Sequence, residues 1–261
     1  MAVFQPVIPD PNKILLTDVS FWQSEIDFHK MKSMGVQGTI IRAGQRFYGD
    51  VKFKQNWKLA KEAGLPRGSY WFYDSRAKPE LQSELYVSMF DGDFGEMNLW
   101  CDFEERYGGL YGGWNNWYIF MNRILELVPN AKLGFYSNYY YATEFLPNPV
   151  TQKKQNEWFT RFDFWIAAYQ SGQTPITPKI PKLFNGYVLH QFTDLLDGKS
   201  YGVGSNELDG NYFNGTQEEF NKFCGNQTTQ PPIPPTQNTY PTINNIDITL
   251  DSGEKRLFVK R

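Results

Sequence analysis

Histidine and cysteine are nearly missing from this sequence: its 261 residues contain two of each. Cys101 and Cys224 lie far apart, outside any CxxC spacing and with no histidine cluster near them, so neither a zinc site nor a disulfide framework is indicated and both are expected as free thiols. His29 falls in a helical segment and reads as a surface or packing residue. His190 precedes Gln191 in an apolar run and, by strand alternation, faces the other way. Positive charge is not in excess either. Lys and Arg total 26 against 28 Asp and Glu, with no basic run, which argues against nucleic acid as a partner. No stretch approaches the roughly 20 apolar residues of a membrane span, and "MAVFQPVIPDPNKILLTD" lacks the charged start and unbroken apolar core of a secretion signal. No membrane insertion is expected. The chain reads as a cytoplasmic product that reaches any outer target by a route not written in its own sequence.

Aromatic residues are abundant. Eight Trp, 16 Tyr and 21 Phe exceed what packing usually needs, and flat apolar rings with polar edges suit the faces of sugars. From residue 14 to 223, short β-branched or aromatic runs alternate with segments of helical period, the pattern of a parallel sheet. The expected strands are 14–18, 38–43, 68–74, 97–104, 132–137, 164–170, 186–192 and 207–213. Between them, "SEIDFHKMKSMG" carries a Ser cap and a terminal Gly35, "FKQNWKLAKEAG" ends at Gly64, "KPELQSELYVSMF" starts with Pro79, and "GGWNNWYIFMNRILELVPN" closes before Pro129. So many strands in one stretch predict a closed α/β barrel, irregular on the side of the last three strands, where little helix intervenes. An open doubly wound sheet is the alternative, but no GxGxxG follows an early strand, which removes the commonest reason to prefer one.

The predicted organisation is an N-terminal extension (1–13), a catalytic barrel (14–224), a Pro, Thr and Gln-rich linker (225–243) and a tail (244–261). The tail alternates like a strand pair and is too short to be a domain, so it reads as a docking tail or the start of a second module. Asn214-Gly-Thr216 and Asn226-Gln-Thr228 match glycosylation sequons, which mean little without a secretion signal.

The polar strand ends carry the chemistry, because in a parallel barrel the loops after those ends build the site. They are acidic: Asp18, Asp74, Asp102 with Glu104, and Asp209, and Glu105 follows directly. Residues two apart on a strand share a face about 6.6 Å apart, so Asp102 and Glu104 project together. Like charge and burial keep one of them protonated and able to give a proton to a leaving group, while an ionised neighbour stabilises positive charge at an anomeric carbon. A divalent cation such as Mg²⁺ would also explain an acidic ring, which keeps a metal-dependent hydrolase open as an alternative. Tyr70, Tyr73, Tyr136, Trp165, Tyr169 and Gln191 near the same ends favour a polysaccharide, since rings take sugar faces and amides take hydroxyl edges.

In order and spacing, "TDVSFWQSEIDFHKMKSMGVQGTIIRAGQ", "GSYWFYD", "WCDFE", "GFYSN", "FWIAAYQ", "LHQFTD" and "ELDGNYFNG" resemble glycoside hydrolase family 25, the Chalaropsis-type N-acetylmuramidases frequent among phage endolysins. The resemblance implies an irregular TIM-like (β/α)5(β)3 barrel, monomeric and without metal or cofactor, that cuts the β-1,4 bond after N-acetylmuramic acid in bacterial peptidoglycan. It implies Glu104 as general acid, Asp102 as the residue orienting the substrate acetamido group, and Asp18 and Asp209 as residues that bind water or substrate and tune Glu104. It assigns Tyr70, Tyr73, Tyr136 and Tyr169 to the aromatic wall, with Gln191 nearby. It also implies delivery as a phage lysin through a holin-opened membrane, or on a virion, with the C-terminal part serving a cell-wall-binding or virion partner. A module that binds wall without cutting it is the non-enzymatic alternative. Two segments depart from the family pattern. "RAGQRFYGDVKFKQN" is compact where relatives read "ATEG", so Arg42 and Gln45 or Arg46 are expected to alter how the sugar is gripped, and "EERYGGLYGGWNNW" adds glycine pairs that suit a flap or a plain loop.

Overall fold

The computed structural model describes residues 5–225, 245–249 and 255–259. Most of the expected linker, the Asn226 sequon and much of the tail therefore lie outside the described residues. The chain divides into two units, Met1–Asn226 and Gln227–Arg261. In the second, strands Asn245–Thr249 and Lys255–Val259 pair antiparallel, with Asn245 opposite Val259.

The first unit is a closed barrel. Its strands are β1 (Ile14–Val19), β2 (Val36–Gln45), β4 (Arg67–Phe72), β5 (Leu99–Asp102), β6 (Leu133–Asn138), β7 (Asp163–Ala167), β8 (Leu189–Asp197) and β9 (Glu207–Phe213); β3 (Tyr48–Gly49) only extends β2 as a hairpin. Neighbours from β1 through β8 in the order β1-β2-β4-β5-β6-β7-β8 pair parallel. Strand β9 then closes the ring by pairing antiparallel with both β8 and β1. Helices α1 (Phe28–Ser33), α2 (Phe53–Glu62), α3 (Pro79–Ser88), α4 (Trp114–Leu127), α5 (Tyr139–Phe145) and α6 (Lys153–Phe159) occupy the connections up to β7. After β7 the connections contain none, so the last side of the barrel is irregular as the sequence predicts. Among the described residues no helix is long and apolar enough to cross a membrane.

Local signals fix most helix ends. Gly35 and Gly64 have φ of 91° and 66°, the left-handed conformation that ends a helix without a Cβ penalty. One cap differs from expectation: Asp27, not Ser24, accepts the Lys30 N–H at 2.9 Å, and α1 starts at Phe28. Ser24 instead follows a short 3-10 turn and has φ of 61°.

Strand alternation splits the core in two. Leu15, Val19, Ile41, Trp71, Leu99, Cys101, Phe135 and Ile166 face outward and pack against the helices. Ile14, Leu16, Ile40, Trp100, Trp165, Leu189 and Phe213 fill the barrel interior. The Trp100 ring is accommodated because its register partner is Gly134, where a Cβ would sit 2.1 Å from the ring. Helix α7 (Gln217–Gly225) places Phe220 and Phe223 against Phe213, 5.2 and 5.4 Å between centroids, and so seals the end opposite the strand C-termini. The open end is the other one.

Candidate active site

The parity that buries Leu16, Ile40, Trp100, Trp165 and Leu189 carries Asp18, Arg42, Asp102, Ala167 and Gln191 to the open end. A cavity of about 220 Å³ lies there, lined by Asp18, Arg42, Tyr70, Phe72, Asp102, Glu104, Tyr136, Trp165, Tyr169, Gln191 and Asp209. Strand β5 ends at Asp102, but the Phe103 N–H still donates to the Tyr136 carbonyl at 3.0 Å, which continues the extended geometry and delivers Glu104 to the same cavity.

A hydrogen-bond chain holds the floor. The hydroxyls of Tyr136 and Tyr169 donate to Gln191 Oε1 at 2.7 and 3.0 Å, and Gln191 Nε2 donates to Asp18 Oδ2 at 3.0 Å. Asn211 Nδ2 donates to the same oxygen at 2.7 Å, and Asn211 Oδ1 accepts from Trp165 Nε1 at 2.8 Å. Asp18 is thereby fixed in one orientation. Trp165 meets Tyr136 and Tyr70 edge-on, with centroids 4.5 and 6.3 Å apart, to form the aromatic wall.

Four carboxyls crowd this space. Asp18 and Asp209 are register partners across β1 and β9, a cross-strand placement that penalises two like charges. Burial, reinforced by the Asp18 charge, raises Glu104 to about 7; the Tyr136 hydroxyl pulls the other way. Burial also raises Asp18 to about 6 against the hydrogen bonds from Asn211 and Gln191. Asp102 is raised well above the carboxylate range by burial and then by Glu104 and Asp18, with Arg42 opposing, and Asp209 is raised likewise by burial and then by Asp18. Among the described residues no three Asp, Glu, His or Cys side chains come together to hold a metal ion. The ring relieves its repulsion by holding protons. Asp102 Oδ1 is buried and has no hydrogen-bond partner, an acceptor that a substrate N–H can satisfy.

These shifts set the pH dependence of folding. For Glu104 the native value lies above the unfolded 4.5, and for Asp18 above 3.8, so across that interval the native state binds more protons than the unfolded chain and stability falls as pH rises. His190, lowered by burial, acts in the opposite sense, as do Asp74 and Asp93, which Arg76 and Arg67 hold low against burial and whose contribution is already complete by about pH 5. Thermal unfolding should show a higher Tm near pH 5 than near pH 8, with a smaller difference in Glu104→Gln. A Tm that rises with pH by the same amount in both proteins would contradict this electrostatic picture.

The family model described as Glycosyl hydrolases family 25 matches residues 17–200. The chain belongs to glycosyl hydrolase family 25. It is therefore a glycoside hydrolase. Among curated proteins, the uncharacterized protein YegX of Escherichia coli O157:H7 is 27% identical over 228 residues, covering 83% of this chain and 75% of YegX. Lysozyme M1 of Streptomyces globisporus is 32% identical over 82 residues, 31% of this chain and 28% of that one. Among solved structures, a family 25 glycosyl hydrolase from Bacillus anthracis matches with a TM-score of 0.67 at 17% identity, covering 86% of this chain and 99% of that one. The catalytic domain of endolysin ply40 from bacteriophage P40 of Listeria monocytogenes matches with a TM-score of 0.65 at 21% identity, covering 83% and 100%.

In this family 25 barrel the structure brings together Glu104, Asp102, Asp18, Asp209, Tyr70, Tyr136, Trp165, Tyr169 and Gln191 around one cavity. Tyr73 is not among them. It points outward, 1% exposed, packed against Phe103 and Phe120 and donating its hydroxyl to the Tyr111 carbonyl at 2.7 Å. Asp74 also leaves the ring: Gln82 takes both its backbone groups, and Arg76 binds its carboxylate through Nε at 2.9 Å and Nη2 at 2.6 Å. Glu105 is a structural anchor, accepting from the N–H groups of Ser75 and Tyr107 at 2.6 and 2.5 Å. Ser75 further holds Gly109 N through its hydroxyl and Tyr111 N through its carbonyl, so the glycine-rich segment is tied down rather than free as a flap. His190 lies on the outer face with a ring nitrogen 2.7 Å from the Ala168 carbonyl, as alternation predicts. Both cysteines are free thiols. Phe72 and Asn211 were missed by the sequence reading although strand parity points to both. Arg42 enters the cavity with its Nε bonded to Asp50 at 2.9 Å, the one cation lining it among the described residues.

Proposed function

We propose that this family 25 enzyme is an N-acetylmuramidase, hydrolysing the β-1,4 bond between N-acetylmuramic acid and N-acetylglucosamine in bacterial peptidoglycan. The observation that carries the reading is Glu104, a carboxyl held near neutrality at the mouth of an aromatic-walled cavity. In its protonated form it delivers a proton to the glycosidic oxygen as the bond breaks. The unpartnered oxygen of Asp102 receives the acetamido N–H of the sugar and orients it for the developing oxocarbenium ion. Asp18, fixed by Gln191 and Asn211, supplies negative potential that stabilises this cation and keeps Glu104 protonated, while Asp209 opposite it is held in its protonated form by burial and by Asp18. Trp165, Tyr70 and Tyr136 receive the sugar faces. The kinship with a Streptomyces lysozyme supports this substrate class. Delivery through a holin-opened membrane or on a virion belongs to the same proposal, with antibody labelling of purified virions separating the two.

The test is digestion of purified Gram-positive peptidoglycan in excess EDTA, followed by borohydride reduction and mass identification of the new reducing ends. Reduced muramic acid is the expected result. Reduced glucosamine, or products only after a divalent cation is restored, would overturn the reading.

A further inference from the structure

Beside the acidic cavity lies a ledge of opposite charge. Phe72 lines the cavity and is the register partner of both Asp102 on β5 and Gln45 on β2. The ring of Tyr107, 49% exposed, stands 6.5 Å from that of Phe72 and continues the aromatic floor outward. The Arg76 guanidinium lies 3.9 Å from the Tyr107 ring centroid, held there by Asp74. Two of its nitrogens are used on Asp74, and Nη1 makes no hydrogen bond among the described residues. Arg46, directly after Gln45, is the second cation on this side. It sits in a strained left-handed conformation, φ 54°, with its Nε buried and lacking an acceptor. Asp74 is fully buried beneath the pair, so two guanidiniums face one carboxylate.

We propose that Phe72, Tyr107, Arg76 and Arg46 form a substrate subsite for a carboxylate-bearing stem peptide on the muramic acid, so that the enzyme prefers peptide-substituted glycan to bare glycan. The inference rests on the muramidase reading and extends it from the bond cut to the substituent recognised. The chemistry matches on both counts. The exposed Tyr107 edge takes the apolar part of the peptide, while guanidinium donors without acceptors take a planar carboxylate, the partner their geometry fits best. The location matches as well, since a stem peptide leaves C3 of the muramic acid next to the C2 acetamido group that Asp102 receives, and Phe72 adjoins Asp102.

Initial rates on three glycans of equal chain length test this: strands carrying stem peptides with free carboxylates, the same strands with those carboxylates amidated, and strands stripped by an amidase. The expected order has the free-carboxylate substrate ahead of both others by about tenfold in kcat/KM, the scale of one charge-assisted contact. Arg46→Gln should lower the ratio of the free-carboxylate rate to the amidated rate, and Tyr107→Ala should lower kcat/KM more on peptide-bearing than on stripped glycan. Equal rates on all three substrates with the wild-type enzyme would overturn the subsite. Because that comparison changes only the substrate, it stands whether or not an Arg76→Gln variant, which strips buried Asp74 of its partner, folds. Loss of activity on every glycan would instead count against the muramidase reading.

Discussion

Glu104→Gln is expected to lower kcat on peptidoglycan by at least about a hundredfold, the low end for removing a positioned general acid. The amide is nearly isosteric and cannot supply the proton, so wall binding and KM should change little. The loss should be greatest at low pH, where wild-type Glu104 is fully protonated, and should narrow above about pH 7 as wild type loses its own acid. Asp102→Asn should also lower turnover, more on acetylated than on deacetylated glycan, because the amide can turn its NH2 toward the position where Asp102 Oδ1 accepts the substrate N–H. Asp209→Asn should leave more activity than Glu104→Gln and the basic limb of the pH profile nearly in place, because the charge that raises Glu104 comes from Asp18. Kinetics on a defined glycan across pH 5 to 8 check all three, and near-normal turnover in Glu104→Gln would remove the acid assignment.

The second large effect lies at the opposite end of the barrel, where conservation of fold rather than chemistry is at stake. Arg67→Ala should destabilise the protein by about 3 kcal/mol or more, with turnover per folded molecule preserved. Arg67 opens β4 and is 1% exposed. Its guanidinium donates to Asp93 at 3.0 and 2.9 Å and to Glu96 at 3.1 and 2.8 Å, and lies 4.5 Å from the Trp57 ring centroid. Removing it leaves a void under Trp57 and two acids without their shared counter-ion. In an α/β barrel of this size, such a loss corresponds to a Tm fall of roughly 6–12 °C. Calorimetry paired with activity at a temperature where both proteins are folded checks it. An unchanged Tm would mean that the half-exposed Asp93 and Glu96 rehydrate freely and that the cluster is worth little.

The fold was legible because the chain obeys simple periods. Alternation in β1 puts Leu16 inside and Asp18 at the mouth, and the same parity run along each strand reaches Arg42, Phe72, Asp102, Trp165, Gln191 and Asn211. Choosing Tyr73 broke that rule. Tyr70 and Phe72 share the inner face, so Tyr73 had to point outward, where it packs on α4. Asp74 has the right parity and still misses the ring, for a reason no periodicity carries: β4 ends at Phe72, and Gln82 on α3 captures the Asp74 backbone and turns the chain away. The same holds for Glu105, whose partner Ser75 comes from the preceding strand-to-helix loop. Contacts between loops 30 residues apart set these positions, and local sequence cannot express them. The cationic ledge was visible only as a departure around Arg46, because its meaning depends on Tyr107 and Arg76 arriving from two other loops.

Catalysis here requires one carboxyl to be protonated while its surroundings stay polar enough to use it. Glutamate selectively labelled with 13C at the side-chain carboxyl, followed by NMR from pH 4 to 9 in wild type and Glu104→Gln, observes that proton directly. A single resonance titrating near 7 in wild type and missing from the variant is the predicted result. A Glu104 resonance titrating near the ordinary 4.5 would contradict the assignment of Glu104 as the acid.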